Sequence, residues 1–173
     1  MDNGEKQYYS LHGHARNNNV EEMIKLLNSR ENVNAKDKLH RTPLHLACYA
    51  GSLDAARLLI ESGADVNAIG MDSVTPLAFA VMKNHIEIVL LFLFGIHIEV
   101  RLLLTNGAVS GINAKFNKDS TTCLLVAAKN NNKDMVKLLL DMGSNPNLSN
   151  KQGQRPIDVC NDEDVFPFLR IYN

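Results

Sequence analysis

A short turn-and-helix motif returns at a fixed distance along this chain, and that recurrence limits its fold more than any other feature. Arg41-Thr42-Pro43-Leu44-His45-Leu46-Ala47 lines up with Val74-Thr75-Pro76-Leu77-Ala78-Phe79-Ala80. Thr121-Thr122-Cys123-Leu124-Leu125-Val126-Ala127 and Gln154-Arg155-Pro156-Ile157-Asp158-Val159-Cys160 continue the series. Thr42 to Thr75 is a step of 33, and Thr122 to Arg155 is 33 again. Thr75 to Thr122 is 47, so the middle copy carries 14 extra residues. Two further markers keep the same phase. Asn34, Asn67, Asn113 and Asn147 close Val-Asn-Ala, Val-Asn-Ala, Ile-Asn-Ala and Pro-Asn-Leu, and Arg57 to Gly63 matches Lys137 to Gly143. A weaker first copy lies at 15–35. A unit this short cannot bury its own apolar face, so copies stack into a solenoid closed by caps.

The residue types say what each unit is. Proline suits the first turn of a helix, where its missing N–H costs nothing, and threonine before it is a natural N-cap. Pro43 thus starts a helix that Gly51 ends. A second helix is expected from Leu53 to Ser62, with Gly63 in the left-handed cap. An extended turn then leads to the next threonine. In the last copy the second helix is expected over Asp162 to Ile171, with Asn161 or Asp162 as N-cap and acidic residues favoured in the first turn.

With TPLHLA at 42–47, a glycine after a leucine-rich helix, and Gly63-Ala64-Asp65-Val66-Asn67-Ala68, the chain resembles the ankyrin repeat family over roughly residues 8–172. The resemblance implies an all-α fold, a solenoid of stacked helix-turn-helix units with protruding β-hairpin-like fingers. Residues 1–7 form a tail. An N-cap at 8–36 follows, then repeats at 37–69, 70–116 (with the insertion) and 117–149, and a C-cap at 150–172. It also implies that His45 is structural and bonds to the neighbouring finger. Asparagines in the Val-Asn position can be hydroxylated in this family, and a leucine eight residues earlier favours it. Asn67 (after Leu59) and Asn34 (after Leu26) fit that description.

Nothing in the sequence suggests catalysis. His12 and His14 read as a solvated cap. Cys48, Cys123 and Cys160 read as free buried thiols, since no CxxC pair or zinc spacing exists. No nucleophile has a base beside it and no phosphate loop is present, so no enzyme activity, cofactor, metal or small-molecule substrate is expected. The formal net charge of −1 argues against nucleic acid as a partner. The first residues lack the apolar core of a signal peptide, and a cytoplasmic or nuclear location is expected.

Surface remains as the place for function. The resemblance implies a concave groove made by finger tips and first helices. It would present Arg16, then Lys38, Leu39, Arg41, Tyr49 and Ala50, then Met71, Asp72, Val74, Met82 and Lys83, then Lys118, Asp119, Thr121, Lys129 and Asn130. Among these, six are basic and two acidic, with tyrosine and methionine as adaptable apolar contacts. The expected ligand is an acidic, partly apolar protein segment.

The insertion breaks the pattern. Ile88 to Ile96 is nine residues without a charged or strongly polar side chain, against the 20 or so that a membrane span needs. Aligning Arg101–Gly107 with Arg57–Gly63 places eleven extra residues, Leu90 to Val100, inside the second helix. Either that helix runs on to about Asn106 and exposes Leu91, Phe92 and Phe94, or it breaks near Gly95, the favoured outcome. The alternative function follows: a membrane-associated or host-directed effector that uses residues 88–96 as an anchor or dimerisation patch. Otherwise a monomer without a transmembrane span is expected.

Overall fold

The computed structural model describes residues 10–94 and 111–171. Ten α-helices occur among them, in five pairs. They are α1 Leu11–Arg16 and α2 Val20–Asn28, α3 Pro43–Ala50 and α4 Leu53–Glu61, α5 Pro76–Met82 and α6 Ile86–Phe94, α7 Cys123–Lys129 and α8 Lys133–Asp141, and α9 Pro156–Val159 and α10 Phe166–Ile171. No strand appears among the described residues. A single isolated antiparallel bridge, Phe116 to Thr121, marks the base of one finger.

Each first helix starts as its sequence dictates. Thr42, Thr75 and Thr122 are extended N-caps, and the Thr75 and Thr122 hydroxyls accept from the Ala78 and Leu125 amides. The turn between paired helices needs a left-handed residue. Asn18, Gly51, Asn84 and Asn131, spaced 33, 33 and 47 apart, all take positive φ. The asparagines also reach to the next unit. The Asn18 side-chain oxygen accepts from Ala55 N–H (2.9 Å), that of Asn84 from the Asn132 amide, and that of Asn131 from Asn161 N–H (3.1 Å). Gly51 has no side chain to do this. The ring of His85 covers it instead, so that a Cβ there would lie 2.6 Å from the ring, and Nε2 of His85 sits 3.3 Å from the Tyr49 carbonyl.

The core is a row of second-helix residues in register. Ala55, Ala56 and Leu59 of α4 correspond to Ile88, Val89 and Phe92 of α6 and to Met135, Val136 and Leu139 of α8, and all are buried. Burying each leucine- or phenylalanine-sized side chain contributes about 1.5–3 kcal/mol. This register corrects the sequence reading of the insertion. Helices α4 and α8 each have nine residues, and α6 is described from Ile86 to Phe94. Ile86 to Phe92 therefore fill the slot of Leu53 to Leu59 and of Lys133 to Leu139, so Leu90 to Phe92 belong to the ordinary helix of the repeat rather than to an insertion. Leu91 and Phe92 are core side chains, 5% and 3% exposed, not an accessory patch. The wrong alignment arose because two leucine-rich segments compete for one slot, and only packing chooses between them. The side chain of Phe94, the break at Gly95 and the rest of the insertion fall outside the described residues. No helix among the described residues is long and apolar enough to cross a membrane.

The last helix also differs from expectation. It begins at Phe166, not at Asp162. Pro167 would sit deep inside a helix started at Asp162 and remove an internal hydrogen bond, whereas in the first turn it costs nothing. Asp162 forms the preceding turn, where its carboxylate accepts from Asp164 N–H (2.8 Å).

Candidate partner-binding groove

Three of the four fingers are closed by one recurrent side chain. Asp37 accepts from the amides of Leu39 and Arg41 (both 2.9 Å). Asn117 takes the amides of Asp119 and Thr121, and Asn150 those of Gln152 and Gln154. Asp37, Gly70, Asn117 and Asn150 are one position in the repeat, spaced 33, 47 and 33 apart. The fingers then join in a ladder. Met71 N–H donates to Leu39 O (3.1 Å), Asn117 N–H to Asp72 O (2.6 Å) and Lys151 N–H to Asp119 O (2.9 Å).

Histidines tie helices to fingers. In His45, Nδ1 accepts from Thr42 N–H (3.1 Å), so Nε2 carries the proton and donates to Val74 O (3.0 Å), in the next finger. The imidazole is fully buried, and that burial holds its pKa below the usual histidine value. The structural role expected for His45 is borne out. His12, one period earlier, sits 3.0 Å from Arg41 O through its Nε2. It is 8% exposed and His14 is 9% exposed, so neither is a solvated cap residue. Once TPLH is aligned, His12 falls on the His45 position, and that step would have found it. The three cysteines are free and buried as expected. Burial raises the Cys48 thiol well above its usual value and, against a smaller opposing backbone hydrogen bond, pushes Cys123 up to about 12.

The groove residues divide into two neighbourhoods. In the first, Leu39, Arg41, Met71, Asp72 and Val74 line one small hollow with Gly70 and Phe79. Phe79, which the sequence reading had missed, links it to the rest. Its ring meets Tyr49 edge-on at 5.5 Å, and the Lys83 ammonium lies 4.5 Å over the Tyr49 ring. Met82 is one helical turn from Phe79 on the same helix. Arg41 is committed locally. Its guanidinium bonds the Asp37 carboxylate at 2.7 and 2.8 Å. Burial raises the Asp37 pKa, but the bonds from Arg41 and Leu39 outweigh it and hold the carboxyl below its usual value. Arg41 is therefore a finger brace more than a free cation.

In the second neighbourhood, Asp119, Thr121, Lys129 and Asn130 line a wider polar cleft with Asn150, Gln152, Gln154 and Asp158. The sequence does not point to these four C-terminal residues as groove residues, because their short copy reads as a cap. Asp158 is paired with Arg155 at 3.2 Å. Lys118 is exposed on its finger, and Arg16 is exposed at the end of α1, where its carbonyl accepts from the Ser52 hydroxyl (2.8 Å). Asn34 and Asn67 are half-buried. The Asn34 side chain is engaged at both atoms, accepting from Asp65 N–H (2.8 Å) and donating to Gly63 O (3.4 Å).

A sequence profile for ankyrin repeats (three copies) matches residues 11–101 and 99–170. The chain belongs to the ankyrin repeat family. Among its relatives, the phosphate system positive regulatory protein of Saccharomyces cerevisiae is 35% identical over 136 residues, which is 74% of this chain and 11% of that protein. A putative ankyrin repeat protein of fowlpox virus is 34% identical over 125 residues, 70% of this chain and 33% of the relative. A putative ankyrin repeat protein of Rickettsia felis is 31% identical over 122 residues, 64% and 45% respectively. The chain thus spans less than half the length of each of these. Ankyrin repeats mediate protein–protein interaction, and the ladder of fingers and first helices is the surface such repeats offer.

Proposed function

We propose that this chain is a protein-interaction module, acting as an adaptor, scaffold or inhibitor without chemistry of its own, that holds an acidic, partly apolar segment of another protein along its groove. One observation carries this reading. Leu39, Tyr49, Met71 and Met82 are large apolar side chains left between 39% and 49% exposed on the first two inner repeats, with Lys83 stacked on the tyrosine. Large apolar groups rimmed by cations suit a partner with apolar anchors and carboxylates. The three buried, unpaired thiols fit a reducing compartment, so the cytoplasm or nucleus is the proposed place of action.

Peptide display tests it. Selection on the wild-type chain should enrich acidic sequences with apolar positions, and Tyr49→Ala combined with Lys83→Glu should abolish that enrichment while the melting temperature holds. Equal enrichment on both proteins would remove the groove from consideration.

A further inference from the structure

The second inner finger lacks the side chain that folds the other three. Where Asp37, Asn117 and Asn150 close their own turns, Gly70 has nothing to offer. Its finger instead makes a tight 3₁₀ turn, Met71–Ser73, with Asp72 and Ser73 both at positive φ (56° and 59°). A Cβ at Gly70 would lie 3.3 Å from His45 Nε2 and 3.4 Å from Val74 O. The missing side chain leaves Gly70 as part of the wall of a hollow of about 220 Å³, facing Leu39, Met71, Val74 and Phe79.

Size decides what such a hollow can hold. A dry cavity of about 150 Å³ accepts a benzene ring. Small-molecule sites run to about 300–1,000 Å³. The hollow therefore takes one side chain and not a metabolite. Its walls are mostly apolar, Arg41 is occupied by Asp37, and Asp72 repels an acid from the interior. The walls are also preformed. Met71 N–H is bonded to Leu39 O, and Val74 O to His45, so little ordering is needed on binding. The cations free to meet acids lie outside it: Lys38, beside Leu39 on the first finger, and Lys83, reached across Phe79 and Tyr49.

We infer that this hollow is the anchor pocket for one leucine-, methionine- or phenylalanine-sized side chain of an extended acidic segment of a partner protein, whose flanking carboxylates meet Lys38 and Lys83. The inference rests on the groove reading and sharpens it to one residue.

The test uses the full chain and a library of extended acidic peptides in which a single position is varied through all side chains. Leucine, methionine or phenylalanine at that position should bind roughly thirtyfold tighter than alanine, the factor expected of an interface anchor. Leu39→Trp, at a surface position that lets the indole fill the hollow, should erase this preference without changing the melting temperature. Lys83→Glu should weaken every acidic peptide alike. If acidic peptides bind through Lys83 with no preference at the varied position, or if the preference survives in Leu39→Trp, the pocket is wrong while the groove reading stands. If no peptide of the library is enriched and Lys83→Glu changes nothing, both readings fall.

Discussion

His45 shows how much one residue settles here. Its two nitrogens are both spoken for, one accepting from Thr42 N–H and one donating to Val74 O, so only the neutral ring fits. Protonation would place a second N–H against the Thr42 amide inside the core. The folded pKa is lowered by burial, while the unfolded one is about 6.5. The unfolded chain therefore takes up the proton more readily, and the stabilisation is complete above about pH 6.5 and lost as pH falls through the lower folded value. Urea titrations at a series of pH values should show wild type losing more stability below about pH 6.5 than His45→Asn does; parallel curves would mean that the ring does not titrate as argued. Arg30 offers a second residue-scale prediction. It takes φ 65° where the equivalent Gly63 and Gly143 take 86° and 89°. A left-handed non-glycine residue costs about 1–2 kcal/mol, so Arg30→Gly should raise stability by roughly 1 kcal/mol. A lowered unfolding midpoint would show that the arginine makes a contact worth more than the strain.

At the scale of the element, α6 carries the sharpest test. Its register gives Phe92 the repeat position that Leu59 and Leu139 hold in their own helices, buried at 3% exposed. Phe92→Ala should cost about 3–5 kcal/mol in equilibrium unfolding. A loss below about 0.5 kcal/mol, as expected for a surface position, would restore the exposed helix. The helix pairs were legible in the sequence because each carries punctuation with one physical meaning: threonine and proline at the start, glycine or asparagine where φ must be positive. Phe92 was not legible, since Leu90–Phe94 and Leu102–Thr105 satisfy the same helical pattern in the sequence, and it is the burial of Leu91 and Phe92 that assigns the first segment to the core. The start of α10 was legible in principle, because Pro167 forbids a helix from Asp162. The groove was read at its cationic and apolar rim. It was missed at Phe79, which packs against the core and also meets the Tyr49 ring at 5.5 Å, and at Gly70, whose importance lies in a side chain that is not there.

The whole molecule is a stack in which each unit touches only its neighbours, so its stability is a sum of units and joints. The joints are not alike. The first has His12 on Arg41 O, Ser52 on Arg16 O and Asn18 on Ala55 N–H. The second has His45 on Val74 O and Met71 on Leu39 O. At the third, Ala78 stands where the histidine would be, so no imidazole can reach the following finger. The finger ladder also slips there. Met71 and Lys151 donate across their joints, but Asn117, the equivalent of Gly70 and not of Met71, is the donor to Asp72 O. The 14 extra residues enter at this same joint. Each net hydrogen bond contributes about 0.5–1.5 kcal/mol, so the absent histidine bond and the altered ladder weaken this joint relative to the one before it. Native-state hydrogen exchange should then resolve two cooperative units, one spanning α1–α6 and the other α7–α10, with the second opening at lower free energy. The second unit is the smaller, and its short α9 has only Pro156 fully buried. Slowly exchanging amides of α4 and α8 report on the two sides. A single common opening energy for both sets would mean that the insertion joint couples as tightly as the others.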